Sequence, residues 1–525
     1  MRRSICLAFV LLGCLSVPAM SQRVASDSPT LPPVVVRELR VLEETYTLLD
    51  AAADKVWPGW TGYHDWPFQF TFENGLRVLV GHPSPPKGFE LVEGLRIGDR
   101  PVTVDRSAVT PLLLTGPFSA GGGLLSYGTT AAGARVLIVD IKLRMPRPGE
   151  DLEAAQMPTT ENKILTYLHE LFHGFRQSFV RAPVGNLMYN ADTDYATWSN
   201  VEGLALDRAY GETDPAAARE RLKDFLVARA LKRRSMTDEQ QKEESSDDLM
   251  EGTANYAMVR ALEVMKAGGF QPKLTAADDP AYHAFKNVDA MLAEHRAALK
   301  SVAARHEYPK RKCYEYGCFQ ALLAQRLVPG WQPRVQKGEF IDAVLASKLA
   351  IADDERPKIE QRLRDDYPYA AIRADAAKFI DARDAAWNQL KTRAGRTYIV
   401  DLKRTGQAVT TLTARTAAPR APSYTLGLMT LFPSGFPGFT LDEIQVSATT
   451  VPALTDQLYY LKVVDIQPAT REQPYSVTGA RQADGTWLNE TVTTPLFTLK
   501  APKLRIRETG DRVKLQVLAR VAGTT

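Results

Sequence analysis

An apolar stretch with a narrow polar stripe, at residues 165–179, constrains the fold of this chain more than any other feature. With helical spacing, its apolar residues cover most of a helix circumference; they are Leu165, Leu168, Leu171, Phe172, Phe175 and Phe179. The polar stripe consists of Thr166, His169, Glu170, His173 and Gln177. Such a helix is buried, and an unpaired buried polar group costs about 1–3 kcal/mol. The stripe therefore predicts a partner for its two histidines.

The spacing of the histidines indicates what that partner is. Side chains four residues apart lie on one face of a helix, so the rings of His169 and His173 can point at one metal ion. Imidazole nitrogens bind zinc at about 2.0–2.1 Å, and a catalytic zinc keeps one position for water. Glu170 directly follows the first histidine and is placed to take a proton from that water. These residues predict a zinc site with Glu170 as general base and acid.

The pattern His-Glu-x-x-His resembles the motif of the zincin metallopeptidases. The resemblance covers the run ARVLIVDIKL, the motif helix and the helices that follow. It implies a zinc-dependent peptidase with a peptide or protein substrate, in which a strand such as ARVLIVDIKL pairs with the extended substrate. Phe179 stands where one subclass has a third histidine. The resemblance is therefore to the gluzincins, in which a glutamate from a later helix is the third ligand.

Two glutamates compete for the role of third ligand. Glu251 and Glu202 both precede a glycine, which suggests a close approach to the motif helix because glycine otherwise weakens a helix by about 1 kcal/mol. Gluzincins often place an acid four residues after this ligand, where Asn255 follows Glu251 and Leu206 follows Glu202. We expect Glu251 to be the ligand, with Glu202 as the alternative and Glu244 as a weaker candidate.

An oxyanion formed during hydrolysis needs a donor besides the metal. The candidates are Tyr256, Tyr316 and Arg311, each of which can equally be a packing or surface residue. An aromatic group in VWPGWTGYHDWPF can line a cleft or seal a domain edge; it comprises Trp57, Trp60, Tyr63 and Trp66. The other histidines show no ligand spacing and are expected to bind no metal; they are His64, His82, His283, His295 and His306.

Changes in pattern along the chain predict an α+β fold. Residues 22–155 are expected to form a small N-terminal β-sheet region of the catalytic unit, because β-type runs alternate with glycine and proline and PFQFTFENGLRVLVG has an Asn-Gly turn. Residues 156–396 carry helical periodicity and are expected to form a mostly helical, zincin-like catalytic domain, in which Asp214-Pro215 begins one helix. Residues 397–525 return to alternating patterns and predict an antiparallel, sandwich-like β domain, with hairpins at the Asp-Gly turn of QADGTWL and at the turn 508–511.

Composition excludes some function classes. A net charge of +4 over 525 residues, with no basic cluster between aromatics, argues against a nucleic-acid partner. The basic run LKRR and the acidic run DEQQKEESSDD that follows it are expected to form a solvated helix end and loop. No later segment has the roughly 18 apolar residues of a membrane helix, so no integral membrane span is expected.

The first 21 residues predict export. They combine basic residues, an apolar run too short to span a bilayer and small residues near a cut site, which is typical of a secretory signal. Cys14 lies in a context that resembles a bacterial lipoprotein signal and is a possible lipid anchor. The protein is therefore expected in the periplasm or outside the cell. There, Cys313 and Cys318 can form a local disulfide or be two small buried residues.

Together these features predict an exported zinc metallopeptidase that uses His169, His173 and Glu251 as ligands and Glu170 as general base. Two alternatives remain at this stage. One is a catalytically silent binding or structural protein with a zincin-like core. The other is a zinc hydrolase of a non-peptide amide or ester.

Overall fold

A computed structural model of the protein shows the mixed α+β fold that the sequence predicts. The structure describes residues 31–72, 74–107, 119–129, 135–144, 160–176, 192–268, 273–274, 288–304, 312–349, 351–392, 396–404, 411–414, 425–427, 445–447, 458–463, 476–493, 497–510 and 512–518. The chain divides into two compact units. The first contains residues up to Ala52, Thr61–Gly174 and Gly269–Phe285, and the second contains Ala53–Trp60, Phe175–Gly268 and the chain from Lys286 onward.

The first unit begins with helix α1, Pro33–Val56. Apolar residues recur in it every three or four positions and are buried; they are Val35, Leu39, Leu42, Tyr46 and Leu49. The sequence pattern predicts β structure from residue 22 onward, whereas Pro33–Val56 form a helix. The β-branched valines at its start indicate a strand when read alone, whereas the 3.6-residue period over the whole segment indicates a helix.

A six-stranded sheet follows α1 in the first unit. Its strands are β1 (Phe68–Phe72), β2 (Arg77–Val80), β3 (Glu90–Ile97), β4 (Arg100–Asp105), β5 (Ser119–Thr129) and β6 (Arg135–Arg144). Their order is β3-β4-β2-β1-β6-β5. The predicted Asn-Gly turn between β1 and β2 is confirmed, with Gly75 at a φ of 93° and Asn74 Oδ1 accepting a bond from the Leu76 N–H.

Strand β6, predicted from ARVLIVDIKL, lies inside this sheet. It pairs in parallel with β1 and antiparallel with β5, so both of its hydrogen-bonding edges are occupied. A peptide cannot add to a strand whose two edges are already paired. The expectation that this strand pairs with substrate is therefore wrong.

Helix α2, Thr160–Arg176, carries the His-Glu-x-x-His motif. The predicted burial is confirmed on its apolar sides, where Ile164, Leu168, Leu171 and Phe172 are at most 1% exposed. Residues up to Gly174 belong to the first unit, and the last two residues belong to the second.

The second unit contains the remaining described helices. They are α3 (Thr193–Gly211), α4 (Pro215–Arg233), α5 (Asp238–Gly268), α6 (Val288–Ala303), α7 (Cys313–Leu327), α8 (Trp331–Gln336), α9 (Ile341–Ala346), α10 (Arg356–Asp366) and α11 (Tyr369–Thr392). The predicted Asp-Pro start of α4 is confirmed: Asp214 accepts a 2.8 Å hydrogen bond from the Ala217 N–H, and Pro215 occupies the first turn.

A mainly antiparallel sheet of nine described strands ends the second unit. The strands are β7 (Arg396–Arg404), β8 (Thr411–Ala414), β9 (Thr425–Gly427), β10 (Gln445–Ser447), β11 (Leu458–Val463), β12 (Ser476–Arg481), β13 (Thr486–Thr493), β14 (Phe497–Thr509) and β15 (Arg512–Leu518). The predicted hairpins β12–β13 and β14–β15 are confirmed, with Gly485 and Gly510 at positive φ in their turns. The described strands form one connected sheet, in which β7 and β15 pair in parallel.

Two further sequence expectations concern thiols and membranes. Cys313 and Cys318 are buried within the continuous helix α7, and no disulfide joins them. Among the helices that the structure describes, none is both long and apolar enough to cross a bilayer. The predicted signal segment and Cys14 lie outside the described residues.

Candidate metal centre

The motif helix is fixed by a buried charge cluster in the first unit. Glu38 of α1 is fully buried and forms an ion pair with Lys163, two turns before the first histidine of α2. The other carboxylate oxygen of Glu38 accepts a 2.8 Å hydrogen bond from the Tyr167 hydroxyl. Burial and the Glu38 charge raise the pKa of Tyr167 well above its ordinary value, so it remains a donor. These contacts fix the position of α2 against α1.

The structure brings His169, Glu170 and His173 together on this anchored helix. The Nε2 atoms of the two histidines lie 2.9 Å apart, with the rings nearly perpendicular at 85°. One ligand-type atom from each of the three residues lies within 4.8 Å of the others. All three side chains are buried, with exposed fractions of 7–8%. The predicted convergence of the two rings is confirmed.

This geometry fits a divalent metal. Two nitrogens that bind one tetrahedral zinc at about 2.0–2.1 Å lie roughly 3.4 Å apart, close to the observed separation. The pair can reach that distance by a small rotation of either ring. Two imidazoles and a neighbouring carboxylate are a donor set that zinc accepts, and their burial lowers the dielectric that surrounds them.

Trp66 packs directly beside the motif. Its indole faces Gly174, the residue after His173, and a Cβ added at Gly174 would lie 3.2 Å from the indole nitrogen. Trp60 packs against Phe175 near the end of α2, with the ring centroids 6.2 Å apart. The other two members of the predicted aromatic group lie elsewhere: Trp57 packs edge-on against Trp331, and Tyr63 donates a 2.9 Å hydrogen bond to Asp50. Trp66 is thus the member that contacts the motif helix within the first unit.

Glu202, the alternative third ligand, is engaged elsewhere in the second unit. It is fully buried, and its Oε1 accepts a 2.6 Å hydrogen bond from Arg229 Nε while its Oε2 pairs with Lys232. Both carboxylate oxygens therefore already have cationic partners. Glu244, the weaker candidate, likewise pairs with Lys232 and with Arg233, which lies 3.0 Å away.

These residues belong to a larger buried ion network that the sequence analysis missed. Four carboxylates face three cations: Glu202, Glu244, Asp248 and Asp342 surround Arg229, Lys232 and Arg233. The basic run LKRR and the acidic run DEQQKEESSDD, expected to be solvated, supply most of its members. The expectation is wrong because the two runs neutralise each other inside the fold.

Glu251, the preferred ligand, is partly exposed on α5. It acts electrostatically on Arg176, the last residue of the motif helix. Burial lowers the pKa of Arg176 to about 10, and the Glu251 charge opposes that shift. Asn255, one turn after Glu251, donates a 3.3 Å hydrogen bond to the Tyr314 carbonyl of α7. The assignment of Glu251 as a ligand stays a prediction.

The glycines after both glutamates have a different role from the one expected. Gly252 meets Gly317 where α5 crosses α7, and a Cβ at either position would overlap the backbone of the other helix. Gly203 faces the Tyr316 hydroxyl and Ala303. These glycines therefore permit helix crossings inside the second unit, and the inference that they mark an approach to the motif helix is wrong.

The two tyrosines proposed as oxyanion donors have packing contacts. The Tyr256 hydroxyl donates a 3.0 Å bond to Gln325, and its ring packs edge-on against Trp331. The Tyr316 hydroxyl donates a 2.8 Å bond to the Ser199 carbonyl. These contacts favour structural roles for both, while their catalytic roles stay predictions. Arg311 lies outside the described residues.

The other histidines contribute no described ligand group. His64 pairs with Asp50 at 2.7 Å, and His295 lies 3.5 Å from Glu315. His82 is buried and accepts a hydrogen bond from the Ser84 N–H. His283 and His306 lie outside the described residues. Among the described residues, a group of three or more metal-ligand side chains occurs only at His169, Glu170 and His173.

Comparison with known proteins gives no match: no protein-family model, no curated protein and no solved structure is similar to this chain.

Proposed function

We propose that this protein is a zinc-dependent metallopeptidase of gluzincin type, in which Glu170 acts as general base and acid. One observation carries the proposal: the two Nε2 atoms of His169 and His173 converge to 2.9 Å within a buried helix face. Glu170 supplies a carboxylate within 4.8 Å of both. A pair of buried imidazoles beside an acid is the donor set that a hydrolytic zinc requires.

His169 and His173 would hold the metal through their Nε2 atoms, with Glu251 as the proposed third ligand. Zinc bound there would lower the pKa of a water molecule to about 7 and polarise the substrate carbonyl. Two observations support Glu251 over Glu202. Both oxygens of Glu202 are paired with Arg229 and Lys232, whereas Glu251 acts on Arg176 at the end of the motif helix.

Glu170 would move the proton. Its carboxylate accepts a proton from the attacking water and returns it to the leaving nitrogen as the peptide bond breaks. A carboxylate held on the same helix as the metal ligands keeps one position relative to them, which favours this transfer over random encounter. Glu170 is itself buried, and the low dielectric around a buried group strengthens its electrostatic interactions.

The N-terminal sequence supports a location outside the cytoplasm. The pattern of residues 1–21, which is typical of an export signal, supports the proposal that the mature enzyme acts in the periplasm or the extracellular space, with Cys14 as a possible lipid attachment site. Mass spectrometry of the mature N-terminus tests both points. Cleavage after Ala19 or Ser21 would give a free protein, and a diacylglyceryl group on Cys14 would give an anchored one.

The experiment that tests the function is cleavage of a peptide library by the purified protein. We expect hydrolysis that chelators abolish and that zinc restores. The variant Glu170→Gln should keep its zinc and lose about 10²–10⁴-fold in rate, because the base is not a ligand. Zinc binding without cleavage of any peptide would contradict the peptidase assignment, and ester and non-peptide amide substrates tested in parallel would then identify a different hydrolase.

A further inference from the structure

Arg176, the last residue of the motif helix, carries a charge that the proposed mechanism does not use. It lies three residues after His173, which places it on a neighbouring part of the same helix surface, about 4.5 Å further along the axis. Its side chain is buried, with an exposed fraction of 4%, compared with 7% for His173 and 8% for Glu170. Residues seven positions apart share a face of a helix, so Arg176 extends the face that carries His169 and His173.

The guanidinium of Arg176 is incompletely paired. Its Nε is buried and has no hydrogen-bond partner. Among the described residues no carboxylate lies within ion-pair distance of it, and the charge that acts on it is that of Glu251. Other buried cations of the second unit differ: Arg229 contacts three carboxylates, and Lys232 contacts two. A buried guanidinium without a direct counter-ion is costly unless an anion binds to it.

We propose that Arg176 forms a subsite for a carboxylate of the substrate, close to the peptide bond that is cut. A guanidinium presents parallel N–H donors that match the two oxygens of a carboxylate. The inference rests on the proposed function and extends it, because it gives the peptidase a preference for peptides with a free C-terminal carboxylate near the cleaved bond. If Glu251 binds zinc, its charge is shared with the metal, and Arg176 gains a stronger need for an anion from the substrate.

The test uses random tetrapeptides synthesised in three forms: with a free C-terminal carboxylate, with a C-terminal carboxamide, and as carboxamides that contain one internal aspartate. We expect the wild type to cleave the free acids with a kcat/KM about tenfold or more above that of the amides. Arg176→Gln should bring this ratio close to one. It should lower kcat/KM for the free acids and change kcat/KM for the amides by less than about threefold. If the aspartate peptides are the preferred set, the subsite binds an acidic side chain.

Two further variants distinguish recognition of the substrate carboxylate from a general effect of removing a positive charge. Arg176→Lys keeps the charge without the planar fork and should retain part of the preference, even if Arg176→Gln fails to fold. Arg234→Gln removes the charge of an arginine that is 72% exposed and should leave the ratio unchanged. The proposal is overturned if the wild type cleaves the acids and the amides with equal kcat/KM. It is also overturned if Arg176→Gln lowers kcat/KM by the same factor for both.

Binding distinguishes this proposal from the proposed function. The Glu170→Gln variant is titrated by calorimetry with acetyl-trialanine as the free acid and as the carboxamide, with and without the additional change Arg176→Lys. The subsite is supported if the free acid binds more tightly than the carboxamide and if Arg176→Lys weakens binding of the acid. This holds even if the wild type cleaves no peptide. Cleavage of peptides combined with equal binding of both forms contradicts the subsite and leaves the peptidase proposal intact.

Discussion

Glu202 accepts a 2.6 Å hydrogen bond from Arg229 Nε, and neither side chain is more than 3% exposed. Lys232 pairs with the second carboxylate oxygen. Glu202 thus supports the crossing of α3 and α4. Because both carboxylate oxygens of Glu202 have cationic partners, Glu202 is less suited than Glu251 to bind a metal.

Replacement of Glu202 by glutamine should therefore affect mainly stability, whereas replacement of Glu251 should affect mainly zinc binding. Glu202→Gln removes the carboxylate that Arg229 and Lys232 share, while Asp248, Asp342 and Glu244 still face the two cations. The variant should lower the free energy of unfolding by about 1–3 kcal/mol, with zinc retained. Glu251→Gln should lose most of its zinc with a smaller change in stability. Zinc analysis and urea denaturation of both variants measure this. Full zinc occupancy in Glu251→Gln would remove it from the proposed ligand set.

The ion network should make stability depend on pH through Asp248. Burial raises the pKa of Asp248 to about 6, although Arg229 and a 2.8 Å bond from Gln320 oppose the shift. Because the folded pKa is above the ordinary value of 3.8, the folded state holds a proton between pH 4 and 6 that the unfolded chain releases. Stability from this group is therefore lost as the pH rises through that window.

The variant Asp248→Asn isolates this contribution, because it stays neutral at every pH. From pH 4 to 7 the wild type should lose on the order of 2 kcal/mol relative to the variant, measured by denaturation across that range. If the difference in unfolding free energy between the two proteins stays constant from pH 4 to 7, Asp248 is ionised over the whole range and the prediction is wrong.

The crossing of α5 and α7 provides a third prediction. A methyl group at Gly252 would overlap Gly317, so Gly252→Ala should force the helices apart and lower stability by about 1–3 kcal/mol or more. Gly268→Ala is the matched control on the same helix, because a Cβ there meets no atom within 4 Å. Its melting temperature should be unchanged or slightly higher. Equal effects of the two substitutions would argue against the close crossing.

The thiols of α7 should be inert in the native protein. Cys313 and Cys318 are buried, and burial raises the pKa of the Cys318 thiol well above its ordinary value. Ellman's reagent should react with both only after denaturation, and the variants Cys313→Ser and Cys318→Ser should each lose one reactive thiol. A disulfide between them, detected by mass spectrometry after alkylation without reduction, would require α7 to unwind.

The features that local sequence determines were predictable. The hairpins followed from Asn-Gly and Asp-Gly turns, the start of α4 followed from Asp214 and Pro215, and the convergence of His169 and His173 followed from helical spacing. Each of these depends on residues within a few positions of one another. Local steric rules and side-chain direction are sufficient there.

The features that failed depend on contacts between distant segments. An acidic run alone is expected in solvent, and its burial becomes favourable only because Arg229, Lys232 and Arg233 approach from another helix. Similarly, a glycine indicates that something approaches closely, but not which helix does so. For Gly252 that helix is α7. The sequence did contain one signal of the buried ion network: the basic run LKRR lies close to the acidic run, so the two can neutralise each other.

Metal analysis of the purified protein shows whether His169 and His173 bind zinc. Zinc content is measured by mass spectrometry of the wild type and of His169→Ala and His173→Ala, after dialysis against buffer with trace zinc. We expect one zinc per wild-type chain and near-complete loss in either variant, because each removes one of the two imidazoles. A wild-type protein without metal, or one whose zinc survives both substitutions, would contradict this prediction.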